Sequence, residues 1–183
     1  HVPIFFFLLE REVPVTEANP EKSKKGLYRI KDNFINFWFQ FVYPNRSYIE
    51  MGHTDFVMAR LEKNFIDNHV SFAYEQICQD KLWELSAEGK LPGVLERVGR
   101  WWDNTHEIDV AGISEADDLL VLGECKFWAG PVGINILAQL EQKAEFVDWH
   151  KDTRQTVYIL FSINGFSVDL QAVASARHDV ILV

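Results

Sequence analysis

The sequence predicts an α/β domain with a central mixed sheet flanked by helices, and three observations carry that prediction. Residues 119–122, Leu-Leu-Val-Leu, are apolar on both faces of an extended segment, as in a strand at the centre of a sheet. Ile136, Leu137, Leu140, Ala144 and Val147 recur at helical spacing just downstream. From residue 71 the elements read α-β-β-β-α-β-α-β, an alternation that packs helices against a sheet.

The elements follow in order. Arg11 to Thr16 reads as a strand and Leu27 to Ile30 as its return, with the polar, basic turn Asn19-Pro20-Glu21-Lys22-Ser23-Lys24-Lys25-Gly26 between them. Asp32 suits the N-cap of a helix over Phe34 to Val42, which Pro44 is expected to end. Phe34, Ile35, Phe37, Trp38, Phe39, Phe41 and Val42 make that helix apolar nearly all round. Such a helix is expected to be buried on more than one side, between domains or in a homodimer contact. A boundary near residues 44–53 divides the chain into an N-terminal part, 1–46, and a main domain, 47–183.

Helices are expected over Thr54 to Asn68, with Thr54 and Asp55 at the N-terminus, and over Ser71 to Glu88, stopping at Gly89. Val94 to Val98 reads as a short strand, followed by strands over 105–113 and 119–127. Pro131 starts a helix expected to run to Trp149. Thr156 to Ile163 is a strand, Ser167 to Ala176 a short helix and Val180 to Val183 a last strand.

Composition narrows the class. The 183 residues are 48% hydrophobic and 25% charged, ordinary for a soluble globular chain. The run Val2 to Leu9 is too short for a membrane span and lacks the flanks of a signal peptide, so no membrane role is expected. Cys78 and Cys125 give neither a disulfide framework nor a zinc spacing, and reduced thiols in a cytoplasmic protein are expected. The net charge of −9 argues against a simple electrostatic nucleic-acid binder but is compatible with a cluster of metal-binding acids. The chain opens on His1 rather than Met, which reads as a fragment of a longer protein or a processed chain.

The chemistry concentrates on two adjacent strands. Asp109 ends one of them, and a Glu-x-Lys motif, Glu124 and Lys126, ends the next. Alternation puts Glu124 and Lys126 on one face. The turn-like segment Gly112 to Asp118 would fold Asp109 back opposite Glu124, with Cβ atoms roughly 4.5–5.5 Å apart. Two carboxylates and an ammonium in that volume suit a divalent cation and an activated water. Glu75 shares a helix stripe with Phe72, Cys78 and Leu82, and a buried acid there needs a partner or a metal. Glu107 is an extra acid near the site, open to a second metal, to Lys126 or to solvent. Trp101 and Trp102 read as core and rim packing ahead of base stacking, and His106 as incidental. Taken singly, Glu-x-Lys is commonplace; the weight comes from the whole set on the right elements.

That order, with Asp on the second strand and Glu-x-Lys on the third, resembles the PD-(D/E)XK, or restriction-endonuclease-like, superfamily and its αβββαβ core. Trp101-Trp102, Glu107-Ile108-Asp109, Gly123-Glu124-Cys125-Lys126 and Pro131-Val132-Gly133 further resemble the C-terminal domain of archaeal P-loop ATPases. In those proteins an ATPase module and a winged helix come first, and the segment Glu10 to Val15 with its lysine-rich turn resembles the wing. No Walker A motif is present, so the ATPase would lie elsewhere in a parent chain. The resemblance implies a nuclease in which Asp109, Glu124 and Glu75 hold Mg²⁺ or Mn²⁺ and Lys126 positions the attacking water or stabilises the phosphate. It implies DNA contacts from Lys22, Lys24 and Lys25, and a lesser role for Gln139 or Gln142 toward substrate or water. A non-catalytic interaction or regulatory module of the ATPase is the alternative, favoured by the net charge and the all-apolar helix. A two-carboxylate glycosidase would leave Lys126 without a role.

Overall fold

The computed structural model describes residues 8–183, which fall into two compact units. The first comprises the chain up to Glu12 together with Gly26–Ala73, the second Val13–Lys25 with Tyr74–Val183. Residues 2–7 of the N-terminal apolar run lie outside the described residues.

In the first unit, β1 (Leu9–Glu12) pairs antiparallel with β2 (Leu27–Ile30), from Leu9↔Ile30 to Glu12↔Leu27. Arg29 bridges Glu12 at 2.8 Å and Glu10 at 3.5 Å across the ladder. The pairing stops at Glu12, short of the Thr16 expected from sequence. Pro14 has no N–H to give a ladder. The Arg29 ladder is followed by α1 (Asn33–Phe37), capped as expected: Ile35 N–H donates to Asp32 Oδ1 at 2.8 Å. The helical path runs on through a π turn, Trp38–Val42, and a 3₁₀ turn, Tyr43–Asn45, into α2 (Arg46–Glu50). Pro44 therefore does not end it; the residue sits at the start of a turn, where its missing N–H leaves no bond unmade. Next, α3 (Thr54–Phe65) passes through a π turn, Ile66–Val70, directly into α4 (Ser71–Ala87).

Phe37, Phe41, Phe65 and His69 form an aromatic cluster with ring centroids 5.4 to 6.2 Å apart. Of the apolar helix, only Phe41 is buried, while Phe34, Trp38 and Phe39 are exposed. Among the described residues the helix is not buried on several sides, and the expected domain or homodimer contact would have to cover it.

The second unit is a five-stranded mixed sheet in the order β3-β4-β5-β6-β7. Its strands are β3 (Arg97–Trp102), β4 (Glu107–Ser114), β5 (Leu119–Lys126), β6 (Gln155–Ser162) and β7 (Val180–Leu182). The first three are antiparallel, and β5, β6 and β7 are parallel. The chain crosses between the parallel strands through α5 (Ile134–Ala144) and α6 (Val168–Ala176). One face packs Val110, Val121, Ile159 and Phe161 with Cys78, Leu82 and Leu85 of α4. The other packs Ala111, Ile113, Leu122 and Leu160 with Leu137 and Leu140 of α5 and Leu170 of α6. Val15 N–H donates to Arg100 O at 2.9 Å, and the buried Val15 side chain seals the edge of β3.

Two boundaries differ from the sequence reading for steric reasons. β4 runs to Ser114, one residue past the strand read over 105–113, so that Gly112, which also opened the turn-like segment, lies inside it. A Cβ on Gly112 would lie 2.7 Å from Leu95 Cδ1, so this glycine marks a close approach in a buried strand. The turn itself is held by Asp117, which accepts from Ser114 Oγ and from Val94 N–H, both at 2.9 Å. Likewise α5 starts at Ile134 rather than Pro131, because Val132 is bridged to Phe166 and donates its N–H to Gly165 O at 2.9 Å. No helix among the described residues is long and apolar enough to cross a membrane.

Candidate active site

β4 and β5 pair in the register Val110↔Gly123, and one further step along it sets Asp109 opposite Glu124. Gly123 lets the strands come this close: a Cβ there would stand 2.8 Å from Ile159 Cγ2 and 3.3 Å from Val110 Cβ. Glu124 shares the strand face of Leu120 and Leu122, as alternation requires. The hairpin thereby converts two distant acids into neighbours.

Both carboxylates are buried, at 9% and 8% exposure. Asp109 Oδ2 accepts the Cys125 N–H at 2.9 Å. Burial, with Glu124 beside it, pushes the Asp109 carboxyl up to about 6, against the opposing pull of that N–H, Lys126 and Lys143. Lys126 Nζ donates to Glu124 Oε1 at 2.7 Å. Burial alone would depress the Lys126 ammonium, but Glu124 and Asp109 outweigh it and hold it above its ordinary value. Lys143, on the last turn of α5, donates to Glu124 Oε2 at 3.0 Å and Oε1 at 3.3 Å. Glu124 is thus gripped by two ammonium groups.

The structure brings together Asp109, Glu124 and Lys126, as the spacing expects. Lys143 is the member that the sequence reading missed. Its signal was present: it falls seven residues after Ile136 and three after Leu140, a basic residue on an apolar helix stripe. Glu75 is partly buried on α4 and pairs with Arg100 of β3, Oε2 to Nε 3.5 Å. Glu107 is exposed and pairs with the same arginine at 3.3 Å. Gln139 is exposed one helical turn before Lys143. Lys22, Lys24 and Lys25 are exposed, and Lys25 lies 3.7 Å from Glu17. Trp101 is buried in the core. His106 sits by Asp103, with Nδ1 3.2 Å from Oδ2, and stacks on Phe146.

A divalent oxygen-seeking cation fits these residues in a limited sense. Asp109 and Glu124 supply two converging carboxylates whose mutual repulsion a cation would relieve. Among the described residues no three His, Cys, Asp or Glu side chains are spaced as a ligand set, so two carboxylates are what the arrangement offers. Mg²⁺ keeps several waters and is commonly held by one or two protein carboxylates, which matches this count.

The fold and site define a mixed α/β domain with a buried carboxylate pair clamped by lysines at the end of its central strands. Residues 38–145 match the DUF234 family model, described as archaea bacterial proteins of unknown function, and the chain belongs to that family. It is similar to the uncharacterized protein MJECL04 of Methanocaldococcus jannaschii, with 38% identity over 119 residues. That match covers 65% of this chain and 26% of the relative, so the chain spans about a quarter of the protein it resembles. No solved structure matches the chain.

Proposed function

We propose that the second unit is a metal-dependent, PD-(D/E)XK-type nuclease domain that hydrolyses nucleic-acid phosphodiester bonds, DNA first among them. The observation that supports it is the buried pair Asp109 and Glu124 with Lys126 Nζ 2.7 Å from Glu124. Asp109 and Glu124 would hold Mg²⁺ or Mn²⁺; Glu75 pairs with Arg100 and is not spaced with them as a third ligand. The bound cation would acidify a water and offset charge on the scissile phosphate. Lys126 is a fixed cation for charge developing in the transition state, and Glu124 fixes its position. Asp109 must be ionised to serve, and its N–H bond from Cys125 favours that form. Gln139 would face substrate or water, and Lys22, Lys24 and Lys25 would contact phosphates from a wing-like loop.

The chain would act in the cytoplasm as the C-terminal part of a longer polypeptide carrying an ATPase domain, consistent with the small share of its relative that it covers. The alternative is a non-catalytic nuclease-fold module that regulates that ATPase. One observation favours it: Phe34, Trp38 and Phe39 stay exposed on the apolar helix, a surface suited to a homodimer or another partner. The test is Mn²⁺-dependent cleavage of single-stranded, duplex and branched DNA. Wild-type protein should cleave, and Asp109→Asn and Lys126→Met should each abolish cleavage with the fold retained. Wild-type protein no more active than those variants on every substrate would reject the nuclease.

A further inference from the structure

The segment that follows the Glu-x-Lys motif turns two aromatic rings in different directions. Phe127 packs against Tyr74, with ring centroids 5.5 Å apart in an edge-to-face arrangement. Trp128 is left 44% exposed. Its indole lies 5.7 Å from Lys126 Nζ, the cation at the centre of the candidate site. Asn164 holds this loop from β6's end by donating Nδ2–H to Trp128 O. The indole stands in water beside the partly buried Lys126 ammonium, with much of its apolar area uncovered.

A second exposed ring follows the other lysine. Phe146 N–H donates to Lys143 O at 3.0 Å, and the phenyl ring is 52% exposed. Its inner face is stacked by His106 at 4.0 Å between centroids and 17° between planes. His106 directly precedes Glu107 at the start of β4, the strand that carries Asp109. Each lysine that grips Glu124 is therefore followed, two or three residues on, by a ring open to solvent.

We propose that Trp128 and Phe146 are stacking platforms for unpaired bases on either side of the phosphate addressed by Lys126, so that the substrate is single-stranded nucleic acid or a single-stranded stretch within a duplex. Bases in a duplex are covered by their neighbours, whereas an unpaired base offers its face to an aromatic ring. Trp128 stands about one nucleotide's reach from the Lys126 ammonium, so a base on Trp128 and its own phosphate at Lys126 belong to one residue of the strand. Stacking is also a contact that an acidic protein can use, since it needs no positive surface. The proposal rests on the nuclease reading only for the placement of the phosphate.

The experiment is fluorescence anisotropy with a labelled 12-nucleotide single strand and the matching blunt duplex, in Ca²⁺. Wild-type protein should bind the single strand more tightly than the duplex. Trp128→Ala should weaken single-strand binding about tenfold or more, Phe146→Ala by a similar or smaller factor, and Trp128→Phe should restore most of the loss. Duplex affinity should not move. Both side chains are exposed, so unchanged melting curves will show that the variants fold. Single-strand affinity equal in wild type, Trp128→Ala and Phe146→Ala would overturn the proposal, as would tighter binding of the duplex. The nuclease reading fails separately: Mn²⁺ cleavage that survives Lys126→Met would reject that reading, whatever Trp128 does to binding.

Discussion

At the scale of single residues, Asp109 carries the sharpest consequence. Its folded-state value of about 6 lies above the ordinary 3.8, so the folded protein holds this proton more tightly than the unfolded chain. That contribution is fully present below about pH 4 and is lost as pH rises through 6. Metal-free protein should therefore lose about 2 kcal/mol of stability from this group between pH 4 and pH 7. Asp109→Asn should flatten that decline and be at least as stable as wild type at pH 8, measured by denaturant unfolding across the range. A wild-type profile that rises over the same window, with no difference in the variant, would contradict the assignment. Lys143 makes a second prediction. With its ammonium 3.0 Å from Glu124, Lys143→Met should lower metal-free stability by about 1–2 kcal/mol. The same change should tighten Mn²⁺ binding, because a competing cation is gone; calorimetry reads both signs. Asp109, Glu124 and Lys126 were legible in sequence because strand alternation and one hairpin suffice to bring them together. Lys143 was not read as a partner, because its contact depends on how α5 lies across the sheet, which no local pattern states.

At the scale of elements, the hairpin of β4 and β5 sets the site, and Gly123 is its tightest point. Gly123→Ala would press a Cβ against the β-branched Ile159 side chain at 2.8 Å. A destabilisation of about 1–3 kcal/mol is expected, with β5 strained beside Glu124; chemical denaturation measures it. The strand and helix order from Ser71 onward was legible in period and apolar content. The strand start at Arg97 was not. It follows from pairing to β4, where Arg97 stands opposite Ile113, and is tertiary in origin. The lysine loop gives a further prediction at this scale. Neutralising Lys22, Lys24 and Lys25 together should reduce the salt slope of DNA binding by about two, because Lys25 already has Glu17 at 3.7 Å. An unchanged slope would assign these lysines to solvent or to a protein partner.

At the scale of the whole molecule, one acidic chain folds so as to bury two carboxylates side by side, and the proposal is that a divalent cation joins them. Net charge says little about this, since −9 is spread over 183 residues while the decisive charges are four side chains in one place. The apolar helix at 34–42 shows the opposite failing of sequence reading. Its composition announces burial, yet Phe34, Trp38 and Phe39 are exposed among the described residues. The central claim is tested most directly by melting curves with and without Mn²⁺. A cation that binds only the folded state at ten times its Kd adds about 1.4 kcal/mol, or roughly 3–5 °C for a chain of this size. Wild-type protein should show that shift and Asp109→Asn should not; equal shifts in the two proteins would refute a metal site at Asp109 and Glu124.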